Sequence, residues 1–113
     1  MNVGDVVLCR LPQVGGGPVK LRPALLLVAL PGPYQTVLLC GISTQIHTLV
    51  ANWEELIEPS DADFTSSGLR AASIIRLSYL VATGSREIVG VIGSVDLARL
   101  DRLRTRLADD IRP

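Results

Sequence analysis

The chain has 113 residues, of which 48% are apolar and 19% charged, with eleven basic and eleven acidic side chains. This length suits one domain with a single hydrophobic core, and the apolar content excludes a disordered chain. The longest uninterrupted apolar run covers residues 24–30, far short of the roughly 20 residues of a membrane-spanning helix, and the first residues carry no basic and apolar leader. We therefore expect one domain over residues 1–113, located in the cytoplasm and not in a membrane.

Charge is distributed unevenly along the chain. Residues 50–69 carry five acids and no base, whereas residues 70–113 carry eight arginines and five acids. A net charge of zero gives no overall attraction to nucleic acid, so only a local basic patch could bind it. We expect the acidic segment 54–63 to lie away from any such patch, and the arginines near the C-terminus to form a solvated helix face.

Cysteine and histidine content limits the chemistry of the site. Cys9 and Cys40 lie inside apolar runs and His47 is the single histidine, so the spacing of a zinc site is missing. The cysteines are expected to be reduced and buried, with a disulfide between neighbouring strands as the alternative. One histidine also excludes a two-histidine ribonuclease mechanism, and the glycine run 15–17 lacks the Gly-Lys-Ser/Thr of a phosphate-binding loop. We expect no metal and no cofactor.

Short apolar segments separated by glycine, proline and polar residues predict a protein made mainly of β-strands. A flexible connection over residues 13–20 contains the glycine run. The polar stretch 60–68 is expected to be a loop or a single helical turn. The predicted strands cover residues 6–11, 22–30, 36–42, 53–57, 73–83 and 87–92.

The end of the chain follows a helical pattern. Ser94 is expected to cap an amphipathic helix of about 17 residues, with Asp96 in its first turn. Short strands followed by one terminal helix predict a small barrel that the helix closes. The apolar stripe of the helix, with steps of three and four, consists of Leu97, Leu100, Leu103, Leu107 and Ile111.

Polar side chains stand at the ends of two apolar strands. Arg22 comes directly before one of them, and Ser43, Thr44 and Gln45 follow the next. Arginine offers a rigid fork of donors that suits a phosphate, and serine adds a hydroxyl. If the strand continues, Ser43 and Gln45 share one face and Thr44 the other. The alternative, which spacing alone favours, is that Arg22 pairs with a carboxylate and the three polar residues merely end a strand.

Six short segments of the chain, taken together in their order, are a more specific sign of a protein family than any one of them alone. They are residues 4–8 (GDVVL), 20–28 (KLRPALLLV), 41–45 (GISTQ), 67–69 (SGL), 73–75 (SII) and 92–94 (IGS). In this order, over about residues 3–111, the chain resembles the MazF/PemK family of toxins from type II toxin–antitoxin systems.

The resemblance implies a mainly β (α+β) fold, a small SH3-like barrel with a C-terminal amphipathic helix. It also implies a homodimer that a cognate antitoxin neutralises and that cleaves single-stranded RNA at short sequences without a metal, by attack of the 2′-hydroxyl. Arg22 and Ser43 correspond to the catalytic arginine and Thr/Ser of the family, and Gln45 to the glutamine that follows. The residues expected to bind RNA are Lys20, Thr44, Gln45 and Arg76.

The chain departs from the family pattern in one strand. The family often has Gln-x-Arg-Thr where this chain has residues 79–82 (YLVA), so an arginine is missing at Val81. Arg76, earlier in the same strand, is the candidate to replace it. This departure leaves two alternatives open, namely a non-enzymatic toxin of the same fold that binds a protein target, and an inactive relative that keeps antitoxin binding.

Overall fold

The computed structural model describes residues 1–12 and 15–113. The predicted connection 13–20 therefore includes two residues that lie outside the described ones. Within the described ranges, no helix is long and apolar enough to cross a membrane. Two short 3₁₀ helices, Ile46–Thr48 and Ser85–Glu87, accompany the main elements. These main elements are β1 (Asp5–Leu11), β2 (Lys20–Ala29), β3 (Thr36–Ser43), β4 (Glu55–Ile57), α1 (Phe64–Ser67), β5 (Ser73–Gly84), β6 (Ile88–Ser94) and α2 (Leu97–Ile111).

The six strands form one antiparallel sheet in the order β4-β5-β3-β2-β1-β6. In the part of the chain that the structure describes, β4 and β6 are the two edges and do not pair, so the sheet of the predicted small barrel is open and is not closed into a ring. The prediction of a mainly β fold with one C-terminal amphipathic helix is confirmed. The turn predicted in the stretch 60–68 is the four-residue helix α1.

Alternate residues of the central strands bury their side chains in two hydrophobic clusters. Leu25 belongs to one cluster and Leu26 to the other, because successive side chains of a strand point to opposite faces of the sheet. Burial on both faces explains why β2 is a continuous apolar run instead of an alternating one. Leu100 and Leu103 of α2 are buried in the same cluster as Leu25, whereas Leu97 at the start of the predicted stripe is 77% exposed.

The predicted cap of α2 is wrong by two residues. Ser94 is the last residue of β6, so its backbone belongs to the sheet. Asp96 is the cap, and its side-chain oxygen accepts a hydrogen bond from the amide of Arg99 at 2.9 Å. A carboxylate at this position satisfies a free amide of the first turn and also interacts favourably with the helix dipole.

Arg99 of α2 is buried, with 6% of its surface exposed, so the prediction of a solvated arginine face is wrong for this residue. Its guanidinium donates to the carboxylates of Asp63 at 2.8 and 3.1 Å, Glu55 at 3.0 Å and Asp61 at 3.3 Å, and to the carbonyl of Leu56 at 3.0 Å. We call these four charged residues the Arg99 network. It fastens the terminal helix to β4 and to the acidic segment between β4 and α1.

Two glycines allow α1 to pack directly on β6. Gly68 has a φ of +76°, and a Cβ there would lie 2.1 Å from the carbonyl oxygen of Ile92. A Cβ on Gly93 would lie 2.2 Å from the carbonyl oxygen of Ser66. Both positions therefore require glycine, since backbone atoms occupy the space of any side chain. We call this pair the glycine joint, and it brings together the segments 67–69 and 92–94.

Both cysteines are free and buried, as expected. Complete burial raises the pKa of the Cys40 thiol to about 12. Burial, followed by the nearby charge of Glu87, also raises the pKa of the Cys9 thiol. The two thiols lie in different hydrophobic clusters, so the alternative of a disulfide between them is not realised.

Candidate phosphate-binding site

A pocket of about 230 Å³ opens where β2, β3 and β5 meet. The pairing of Ala24 with Gly41 sets the register of β2 and β3, and extending that register places Arg22 across from Ser43. Four of the residues predicted for the site therefore share one cavity, which we call the Arg22 pocket. Its lining residues are Leu11, Arg22, Pro23, Gly41, Ile42, Ser43, Gln45, Arg76 and Tyr79.

Arg22 lies in this pocket with an unsatisfied donor. Its Nε is buried and has no hydrogen-bond partner among the described residues. No carboxylate of the described ranges forms an ion pair with it, so the alternative of a structural salt bridge is not supported. Buried donors are nearly always paired, and an unpaired one costs about 1–3 kcal/mol. An acceptor that enters the pocket would remove this cost.

Ser43 ends β3 and presents its hydroxyl to the pocket. The amide of Gln45 donates to Ser43 Oγ at 3.1 Å, and this hydrogen bond closes a local turn at the end of the strand. The hydroxyl hydrogen remains available for an acceptor in the pocket. The strand stops at Ser43, so the condition for a shared strand face is not met, but Ser43 and Gln45 both line the pocket.

A bulge in β5, next to Arg76, places the side chain of Tyr79 in the pocket. Cys40 pairs with Leu80 while the next residue, Gly41, pairs with Arg76, so residues 77–79 of β5 lie outside the register. We call these three residues the β5 bulge. The ring of Tyr79 lies on Gly41, where a Cβ would be 3.4 Å from the ring carbon Cγ. The Tyr79 hydroxyl donates to the carbonyl of Pro12.

Two residues that do not line the pocket contact the Arg76 guanidinium. Its Nε lies 3.7 Å from a carboxylate oxygen of Glu54, and its Nη1 donates to Thr48 Oγ1 at 3.2 Å. The acidic segment 54–63 was expected to lie away from the basic site, and this is wrong for Glu54. The pocket nevertheless presents two guanidinium groups, Arg22 and Arg76, on its walls. Two arginine forks beside a hydroxyl suit an oxyanion such as a phosphodiester.

The other two predicted RNA-binding residues lie outside the Arg22 pocket. Thr44 is exposed and lines a neighbouring, more apolar groove of about 570 Å³, which shares Ser43 with the pocket. Lys20 is exposed at the start of β2, where it pairs with Leu11. Their roles in binding stay predictions.

Two residues of the site were not predicted from the sequence. Tyr79 was treated only as a departure from a family pattern, although a glycine inside an apolar strand, here Gly41, indicates close approach by another group. No local pattern pairs Glu54 with Arg76, which is 22 positions away in the sequence. In the described ranges, no group of three or more histidine, cysteine or carboxylate side chains could hold a metal ion.

Comparison with known proteins relates the whole chain to one family. The family described as "PemK-like, MazF-like toxin of type II toxin-antitoxin system" matches residues 2–109. A solved structure described as "Endoribonuclease in complex with its cognate antitoxin from Mycobacterial species" has the same fold, with a TM-score of 0.61 and 19% sequence identity. The alignment covers 97% of this chain and 94% of that one. No curated protein sequence matches the chain.

Proposed function

Because this chain belongs to the PemK-like, MazF-like toxins of type II toxin–antitoxin systems, we propose that it is a metal-independent endoribonuclease that cleaves single-stranded RNA at short sequences. The observation that carries the proposal is the buried Nε of Arg22, which has no partner among the described residues and lies in a pocket with Ser43. A phosphodiester supplies the acceptor oxygens that this donor lacks.

The proposed reaction starts with attack of an RNA 2′-hydroxyl on the adjacent phosphorus. The new bond builds negative charge on the phosphoryl oxygens, and that charge moves to the 5′-oxygen as the bond between phosphorus and this oxygen breaks. The 2′-hydroxyl gives up its proton to water as it attacks, and the leaving 5′-oxygen takes up a proton from water. The products are a 2′,3′-cyclic phosphate and a 5′-hydroxyl. Arg22 stabilises the developing charge with its guanidinium donors. A fixed donor of this kind contributes roughly 3–4 kcal/mol to the reaction barrier.

Ser43 and Arg76 complete the proposed site. The Ser43 hydroxyl accepts from the Gln45 amide and donates its own hydrogen to a phosphate oxygen or orients the 2′-hydroxyl. Arg76 takes the place of the arginine that the family often has at position 81. Val81 itself packs against a hydrophobic cluster, so that position contributes to packing here. Gln45 at the pocket, with Lys20 and Thr44 farther out, contacts the RNA strand.

The proposed partners follow from the family. The solved structure of similar fold is an endoribonuclease in complex with its cognate antitoxin. We expect a cognate antitoxin to bind and neutralise this chain as well, and the chain to act as a homodimer in the cytoplasm. DNA lacks the 2′-hydroxyl nucleophile, so we expect it to bind the pocket without being cleaved.

The test is incubation of the purified protein with a long single-stranded RNA in EDTA. We expect fragments that end in 2′,3′-cyclic phosphates, with cuts at a short recurring sequence, and no cleavage of single-stranded DNA of the same sequence. RNA that stays intact under all conditions contradicts the proposal. Growth arrest in cells whose RNA remains uncut would favour a toxin that acts on a protein target.

A further inference from the structure

Arg76, the second arginine of the Arg22 pocket, forms an ion pair with the buried carboxylate of Glu54. We propose that Glu54 is a positioning residue of the site, which fixes the β5 bulge and the Arg76 guanidinium so that RNA phosphate meets a second, preorganised cation beside Arg22. This inference rests on the proposed ribonuclease function, and it assigns to Glu54 a part in substrate binding.

Glu54 is fully anchored. Its side chain is 0% exposed, and a carboxylate taken out of water is costly unless donors surround it. One oxygen accepts from the amide of Val50 at 3.1 Å, and the other accepts from the amide of Ser78 at 3.2 Å. The second oxygen also lies 3.7 Å from Arg76 Nε, an ion-pair distance that is too long for a hydrogen bond. With these three partners, the carboxylate has little freedom to move.

Glu54 also holds the backbone that shapes the pocket wall. Ser78 is the central residue of the β5 bulge, which lies outside the strand pairing between β3 and β5. Its amide therefore needs an acceptor from elsewhere, and Glu54 supplies it. The bulge separates Arg76 from Leu80 along β5 and carries Tyr79 into the pocket. The same carboxylate thus fixes both the bulge and the arginine beside it.

The geometry of Arg76 leaves one edge of its guanidinium for a ligand. Nε faces Glu54 and Nη1 donates to Thr48, whereas Nη2 has no hydrogen-bond partner among residues 1–12 and 15–113. The side chain is 28% exposed and lines the pocket. A free surface arginine loses rotamer freedom when it binds a phosphate, and an anchored one has already lost it. Glu54 therefore raises the affinity for phosphate although it carries a negative charge.

A matched control lies one position along the chain. Glu55 is also a largely buried glutamate in ion pairs, but its partners are Arg99, Arg102 and Arg106 of α2, away from the pocket. Glu54→Gln and Glu55→Gln remove the same charge from neighbouring positions. Both variants are expected to lower the midpoint of urea unfolding, and only Glu54→Gln is expected to change the site.

The experiment measures two quantities, the affinity for a single-stranded DNA that cannot be cleaved and the single-turnover cleavage rate of the matching RNA. We expect Glu54→Gln to weaken the affinity and slow the cleavage about tenfold, a typical coupling for groups in contact, and Glu55→Gln to leave both unchanged. In an Arg76→Ala background, Glu54→Gln should have a much smaller effect, because only its hydrogen bond to the Ser78 amide of the β5 bulge is then lost. Equal losses in both backgrounds, or unchanged binding by folded Glu54→Gln, would overturn the inference.

A second variant covers the case in which Glu54→Gln does not fold. Thr48→Val removes the other anchor of Arg76 at a partly exposed position, so its effect on folding is small. We expect an affinity loss of about threefold, most of which disappears in the Arg76→Ala background. The part that persists reports the other contact of Thr48 Oγ1, a hydrogen bond donated to the Gln45 carbonyl at 2.8 Å. Unchanged affinity would overturn the inference. If the unmodified protein neither binds DNA nor cleaves RNA, both proposals fail, whereas binding and cleavage that are insensitive to Glu54 and Thr48 refute only this one.

Discussion

Arg99 and Arg22 both have guanidinium nitrogens withdrawn from water, and they differ in what surrounds them. All five N–H donors of Arg99 have acceptors, supplied by three carboxylates and one carbonyl. Arg22 has a buried Nε without an acceptor and no ion pair among the described residues. A fully paired arginine holds two parts of a fold together, because removing it leaves buried charges behind. An unpaired one beside a cavity is a candidate binding group, because a ligand that enters the cavity would supply its acceptor.

The largest effect is expected at the paired arginine. Arg99→Ala leaves the carboxylate of Asp63 buried without its ion-pair partner, which should lower the free energy of unfolding by about 3–5 kcal/mol. Urea unfolding measures it. The exposed neighbour is the control, since half of the Arg102 side chain is accessible and Arg102→Ala should cost less than about 1 kcal/mol. A similar loss in both variants would contradict the structural role of burial.

The next largest effect is expected at the unpaired arginine, Arg22, where a substitution should lower activity and leave stability unchanged. Arg22→Ala should slow RNA cleavage about 100- to 1,000-fold, because it removes the donor that faces the developing charge. Its melting temperature should not fall, since an unsatisfied buried donor is lost and no partner is stranded. Arg22→Lys keeps the charge without the planar fork and should recover little activity. Undiminished cleavage by Arg22→Ala would remove Arg22 from the reaction.

A smaller effect is expected at Ser43. Ser43→Ala removes one neutral hydrogen-bonding group from the pocket and should slow cleavage about tenfold. Ser43→Thr keeps the hydroxyl and should cleave at nearly the original rate. Single-turnover kinetics on one RNA compares the three proteins. A Thr variant as slow as the Ala variant would indicate that Ser43 acts through packing, with no part for its hydroxyl.

The smallest effect is a dependence on acid that only the Arg99 network should show. Burial alone would raise the pKa of Asp63, but hydrogen bonds from Arg99 and from the Asp96 amide, together with the charge of Arg99, hold it below the ordinary value of 3.8. A lowered pKa in the folded state stabilises the protein above the pKa of the unfolded state, and this contribution disappears as pH falls through the folded value.

We therefore expect the contribution of Asp63 to be constant at neutral pH and to be lost only below about pH 4. Urea unfolding of the original protein and of Asp63→Asn, at about pH 7 and about pH 3, measures it. The two proteins should differ more at the higher pH. Arg22→Ala should leave this acid dependence unchanged, because Arg22 faces no carboxylate of the described residues. An equal difference at both pH values would contradict the assignment to Asp63.

The strands, and the polar residues that stand at their ends, could be predicted because they depend on local patterns. Apolar runs that end at glycine and proline locate β1, β2 and β3 within two residues. Arg22 and Ser43 stand out as polar residues at the ends of such runs. The resemblance to a family motif assigns Arg22 and Ser43 to one site, and the register of β2 and β3 places the two residues across from each other. Their catalytic roles stay predictions.

The features that the sequence did not reveal depend on distant contacts. Arg99 reads as one of several exposed helix arginines, because its partners lie 36 to 44 positions earlier. The β5 bulge is visible only in the pairing of β5 with β3, and a single serine, Ser78, within an apolar run does not predict it. In the sequence Glu54 is one acid of an acidic stretch, and only the fold shows that Arg76 lies beside it.

The glycine joint has a consequence for the genetics of such a toxin. Cells that survive expression of a toxin gene carry mutations that inactivate it. A side chain at Gly68 or Gly93 would collide with backbone oxygens at 2.1 and 2.2 Å, so such survivors should contain little or no folded protein. Survivors with changes at Arg22 should accumulate the folded protein in full. Immunoblots of survivors would thus sort the mutated positions into those that build the protein and those that make it toxic.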